Sequence, residues 1–193
     1  MVTIPTEKIV REACKKFDRE NSVIEQAVAE LFHRYPKNDQ LDHVLLKVVT
    51  LNCLYSTQIP THSQIVPNLV DMAQHIHRNG RLIDAGLATT TPIIVDTIAN
   101  PDVPNKQTRC YFSFATKYCS CHQPESYPLW DSNVRGYLES LQKQTGFPNN
   151  FEVNGYWEYP QFYRVMSKLR ERYGLSSLSF KDIDKFLWLH GKQ

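Results

Sequence analysis

A chain of 193 residues with 41% hydrophobic residues can bury one core or two small helical lobes. Its net charge of +2 and pI of about 8.2 exclude a whole-molecule basic field, so local clusters must supply any affinity for phosphates. With no apolar run of about 18 residues, no basic-then-apolar leader at Met1 to Lys8 and an odd count of five cysteines, we expect no transmembrane helix, no secretory signal and no disulfide framework, hence a cytoplasmic protein.

Helical spacing dominates and strand-like alternation is almost absent. Ile9, Val10, Ala13, Cys14 and Phe17 follow Thr6 at intervals of three and four, which predicts a first amphipathic helix. Ser22-Val-Ile-Glu25 has capping-box spacing and predicts a second helix with Ile24, Ala27, Val28, Leu31 and Tyr35 as its stripe, ended by Pro36. From Asn38 or Asp39 to about Gln58, Leu41, Val44, Leu45, Val48, Leu51 and Tyr55 are joined by Leu46, Val49 and Cys53 on another face. A helix apolar on so much of its circumference is expected to be central.

Thr61-His-Ser-Gln64 again has capping-box form, with Pro67 in the first turn of a helix that starts near Val66 and ends at Asn79-Gly80. The 81–107 stretch predicts two short helices and a proline-rich turn. Helices follow at about 107–121 and 132–144. The loop from Gly146 to Gly155 is the candidate hinge, and Phe162, Val165, Met166, Leu169 and Tyr173 mark the next helix. Ser179-Phe-Lys-Asp182 opens the last one. The expected fold is all-α: a compact two-lobed helical bundle with a cleft between lobes. Residues 1–193 are expected to form one domain, with 40–107 plus 108–145 as one candidate lobe and 1–36 with 156–193 as the other.

Asp131 is the foremost candidate for chemistry. At or beside the start of a helix, unpaired amides and the helix dipole favour its ionised form. A fixed anion there stabilises a developing oxocarbenium cation or orients a water; equally, the residue is a helix cap and nothing more. Cys119-Ser-Cys121-His122 lacks a second ligand pair, so no metal is expected, and no other cofactor. His43, His62, His75 and His77 have no partner acid at diagnostic spacing and are expected to fill surface or core roles.

The order helix, turn, then Trp130-Asp131-Ser-Asn-Val-Arg135 resembles the catalytic end of the helix-hairpin-helix DNA glycosylase superfamily. Ser56-Thr-Gln58, at the end of an earlier apolar helix, resembles the family's Ser-x-Gln motif, whose glutamine fills the gap left by a flipped base. The resemblance implies a helix-hairpin-helix glycosylase-like fold, double-stranded DNA as partner, Asp131 as catalytic carboxylate and Gln58 as wedge. Bifunctional members carry a lysine eighteen positions before the aspartate; here that position is Ser113. The resemblance therefore implies a monofunctional enzyme that uses water. Lys117, one turn on, is either a displaced amine or an ordinary ion-paired lysine.

The family's glycine-rich hairpin corresponds to Asp102-Val-Pro-Asn-Lys-Gln-Thr-Arg109, which has no glycine. Lys106 and Arg109 either hold a phosphate with their side chains or form a solvated basic turn; Arg135 is a third candidate for phosphate. Among the aromatic residues Tyr55, Phe112, Tyr127, Trp130, Trp157 and Tyr159, most are expected in the core, with Tyr55 and Trp130, beside Asn52 and Lys117, as pocket residues for an extruded base. The expected function is base excision by a DNA N-glycosylase, in repair or in defence against modified phage DNA, and the expected state is a monomer. Two competing readings are a non-catalytic helical DNA-binding module and a hydrolase of ribosyl bonds in nucleotides or RNA.

Overall fold

The computed structural model describes residues 1–149 and 158–191, and these are α-helical with no strand among them. The chain divides into two compact units: Val23–Gln123, and Met1–Ser22 together with Pro124–Gln193. Helix α1 (Glu7–Arg34) runs through the boundary.

That one helix replaces the two expected before Pro36. No proline or glycine lies between Glu7 and Arg34, and the polar run Asp18 to Ser22 is compatible with helix when each flanking segment has its own core to bury in. Ser22 is therefore mid-helix rather than a cap. Val10, Ala13 and Phe17 are buried on one side of it, and Val28 and Phe32 on the other, while Ile24 stays 42% exposed.

The Val23–Gln123 unit contains α2 (Leu41–Tyr55), α3 (Leu69–Arg78), α4 (Gly80–Ala88), α5 (Ile93–Ala99) and α6 (Phe112–His122). α2 packs on α3 and α6, and α5 packs on α4 and α6. Its buried face is Val44, Lys47, Val48 and Leu51. The second apolar face is not buried: Leu46, Val49 and Leu54 are each at least 40% exposed, so α2 is one-sided rather than central. α3 begins later than expected because Pro67 disfavours a helical Val66. Its cap is Asn68, which accepts from the Val70 and Asp71 amides while Asp71 accepts from the Asn68 amide. α3 ends at Arg78 with Asn79 as its C-cap, as expected, and Gly80 at once starts α4 in close approach to the linker before α2, where a Cβ would lie 2.3 Å from the Asn38 carbonyl oxygen.

The second unit joins the first part of α1 to α7 (Ser132–Thr145), α8 (Tyr159–Arg172) and α9 (Phe180–His190). α7, grouped with the central helices in the sequence reading, packs on α9. Tyr137 meets Phe186 edge-on, and its hydroxyl donates to the Thr3 carbonyl at 2.7 Å. Phe17 meets Trp188 edge-on, and Lys185 pairs with Asp18 at 2.7 Å. The Ser179–Asp182 capping box forms as its spacing predicts.

Candidate functional site

Asp131 is the N-cap of α7, with extended backbone and one carboxylate oxygen, Oδ1, accepting from the Val134 amide at 2.9 Å. The side chain is half-buried, and no donor among the described residues reaches Oδ2. Val134, Tyr137, Leu138 and Leu141 bury one face of α7, which fixes the helix start behind the carboxylate. The carboxylate thus caps the exposed amides of the helix N-terminus through Oδ1 and leaves Oδ2 open. Trp130, immediately before it, is 4% exposed and set edge-on against Phe162, so it is core. Arg135, one turn on, is exposed and pairs with Glu139 at 2.7 Å.

Ser56-Thr-Gln58 lies in the other unit, on a loop with unusual backbone. Ser56 has φ 49° and Gln58 φ 61°, both in the left-handed region that L-residues avoid at a cost of about 1–2 kcal/mol each. Asn52 holds this shape. Its Oδ1 accepts from the Thr57 hydroxyl at 2.8 Å and the Ile59 amide at 2.9 Å, and its Nδ2 donates to the Ile59 carbonyl at 3.0 Å. Ile59 is buried, which anchors the far side, while Gln58 is exposed. Tyr55 is half-buried with its hydroxyl donating to Glu25 at 3.0 Å. Asn52 is thus a clamp for the loop.

At the hairpin, the left-handed position that the sequence lacks a glycine for is taken by Asn105, at φ 63°. Asparagine tolerates that conformation better than most residues. The turn closes with the Lys106 amide on the Val103 carbonyl and the Gln107 amide on the Ile65 carbonyl. Lys106 is not a free phosphate ligand: its ammonium is held by Asp71 and donates to the Ser63 carbonyl at 2.8 Å. Arg109 is exposed and lies over the Tyr111 ring at 5.2 Å, with its donors available.

Lys117 is 4% exposed, and its Nζ donates to Ser113 Oγ at 2.8 Å. The amine therefore reaches back one helical turn to the position where the resemblance would put a lysine. Phe112, Tyr127 and Tyr159 are fully buried core residues. Trp157, and the loop beyond Asn149 expected to be a hinge, lie outside the described residues.

Sequence reasoning missed a polar cluster in the core of the Val23–Gln123 unit. Lys47 is 0% exposed, and its Nζ donates to the carbonyls of Tyr35 (3.2 Å) and Lys37 (3.1 Å) and to Asn38 Oδ1 (2.8 Å), with His122 Nε2 at 3.2 Å. Asn38 is itself pinned by Asp84, which accepts from its amide and its Nδ2, and by the Tyr118 hydroxyl. Burial pushes the Lys47 ammonium down to about 8, against the pull of Asp84 and Asp39, so it stays charged at neutral pH. His122 is pushed well below its ordinary value by burial and then by Lys47, and accepts as a neutral imidazole. The available signal was a lysine on the same stripe as Val44, Val48 and Leu51.

Residues 9–126 match the HI_0787_N family, described as an N-terminal domain. The chain belongs to this family. A protein of Haemophilus influenzae, itself uncharacterized, is 27% identical over 153 residues, which cover 79% of this chain and 68% of that one. No solved structure matches. The HI_0787_N match takes in the Asn52 clamp, the hairpin and the Lys47 cluster, and stops before Asp131.

Proposed function

We propose that this HI_0787_N member is a DNA-binding base-excision enzyme: a monofunctional DNA glycosylase, of helix-hairpin-helix glycosylase-like fold, that hydrolyses the N-glycosidic bond of a flipped damaged or modified base. The observation that carries the reading is Asp131, a carboxylate fixed at a helix N-terminus through Oδ1 and open at Oδ2. In the reaction, the C1′–N bond breaks as the oxygen of water bonds to C1′. Asp131 stabilises the cationic sugar and takes the proton that water gives up; the departing base takes up a proton in turn. Ser113 stands where bifunctional members carry a lysine, and the Lys117 amine that reaches it is buried and bonded to Ser113 Oγ, so the reading takes water as the nucleophile.

The strained, clamped loop supports the same reading. An exposed glutamine presented at positive φ by Asn52 suits insertion into the gap that an extruded base leaves. Asn105 at the hairpin turn suits close approach of backbone to a phosphate. The defining experiment is Asp131→Asn, assayed for released bases by mass spectrometry on genomic and modified phage DNA. Asparagine caps helices as well as aspartate does, so the variant is expected to fold and bind DNA while losing base release by about two to four orders of magnitude. Full excision by that variant overturns the assignment. If the wild-type chain binds duplex DNA and releases no base from any of these DNAs, the protein is a binding module, a reading that the serine at 113 and the glycine-free hairpin favour.

A further inference from the structure

α8 carries Arg164, Lys168 and Arg172 at successive i,i+4 positions, which places their cations on one helix face about 6 Å apart. All are exposed, and no salt bridge among the described residues engages them. They line a pocket of about 550 Å³ whose opposite wall is Phe147, Pro148 and Asn149. Among the described lining residues, Gln161 and a single carboxylate, Glu171, complete the polar groups, so there the cations outnumber the anion.

The wall is built rather than loose. Gly146 ends α7 at φ 71°, the Phe147 amide donates to Thr145 Oγ1 at 3.2 Å, and Gln142 Nε2 donates to the Pro148 carbonyl at 2.9 Å. Phe147 is 6% exposed, and the Arg172 guanidinium lies over its ring at 5.4 Å. Stacking of this kind fixes the plane of a guanidinium and leaves its N–H edge for an anion. A linear row of cations with one pre-oriented arginine matches a chain of phosphates better than a single small anion, because each helical turn presents the next charge at a spacing close to that of neighbouring phosphates on one strand.

We propose that this face of α8 is a phosphodiester-binding track for a nucleic-acid strand, with Arg172 on Phe147 as its fixed end. It rests on the nucleic-acid part of the proposed function and is independent of base excision. The test is fluorescence anisotropy of a labelled duplex with the full chain, across a salt series, comparing wild type with R164Q/K168Q/R172Q. A control variant, K8Q/K15Q/K16Q, changes exposed lysines on α1. The α8 variant is expected to bind about tenfold more weakly or worse, with the slope of log affinity against log salt flatter by about 2 to 3; the control keeps the wild-type slope.

Thermal melting of both variants confirms folding, and inorganic pyrophosphate serves as the small-anion probe. Wild-type duplex affinity and slope in the α8 variant overturn the track, as does loss of pyrophosphate binding with duplex binding unchanged. The excision reading falls separately, on Asp131→Asn retaining full activity.

Discussion

The Lys47 cluster and the Asp131 corner each hold one ionisable group, fully buried within α2 in the first and half-buried at the start of α7 in the second, and they treat it in opposite ways. Around Lys47 all proton donors of the ammonium find acceptors, and one of these, Asn38, is held in turn by donating to Asp84 and accepting from the Tyr118 hydroxyl. At Asp131 one oxygen caps a helix and the other is left open. A closed polar network rigidifies a core and contributes nothing to chemistry, because no reacting group can enter it. A charge held by half its capacity is fixed in place and still able to act.

The largest effect expected from breaking this contrast is on catalysis. On the proposed reading, Asp131→Asn is expected to lower base release by about two to four orders of magnitude while the unfolding free energy changes by less than about 0.5 kcal/mol, since the cap survives. Lys47→Met does the reverse. It leaves the Tyr35 and Lys37 carbonyls without their Lys47 donor and Asn38 Oδ1 with the Tyr118 hydroxyl alone, and urea unfolding is expected to show a loss of about 3 kcal/mol or more. Equal stability of Lys47→Met and wild type would mean that the cluster is not the anchor described.

The pH dependence sharpens the same comparison. The unfolded chain protonates His122 near its ordinary value, whereas the native chain resists until well below it. Stability contributed by the neutral imidazole is therefore complete above about pH 6.5 and lost as pH falls through the native value. Lys47 has the same sign at higher pH: native at about 8 against 10.5 unfolded, so stability rises between those values. Denaturation midpoints that are flat from pH 5 to 7, in wild type and His122→Gln alike, would contradict this account.

Asn52→Ala comes next. Its loss frees the Thr57 hydroxyl and both backbone groups of Ile59, for an expected 1–3 kcal/mol or about that, and base release should fall with it if Gln58 must be pre-oriented. The smallest effect is expected at the hairpin. Asn105→Gly relieves a left-handed asparagine at φ 63° and should leave stability within about 1 kcal/mol and DNA binding intact, while Asn105→Val should weaken both.

Much of the fold was legible because helix formation is local. Spacings of three and four residues marked α2, α7, α8 and α9 to within a few residues, and the Ser179–Asp182 capping box formed as written. Where the reading failed, it relied on one local signal that a stronger influence overrode. Ser22-Val-Ile-Glu25 has the spacing of a capping box, yet helix continues through it because nothing there breaks a helix. Thr61-His-Ser-Gln64 lost to Asn68, whose cap lies on the helical side of Pro67. Asp131 was legible as a cap, and its role in catalysis came from resemblance and stays a proposal.

By itself, then, the sequence determined an all-helical chain, most helix ends, and the candidate residues Asp131 and Ser56 to Gln58, since backbone hydrogen bonding and apolar periodicity act within a few residues. Only the tertiary structure decided which charges are committed and which are open. Lys47 meets partners from residue 35 to residue 122, Lys106 meets Asp71, and Asn52 bends back on Ile59. Such contacts depend on how the chain reverses between helices, which no periodicity encodes. The same holds for α8, where spacing alone aligns Arg164, Lys168 and Arg172, but only the turn carrying Phe147 makes that row one side of a pocket.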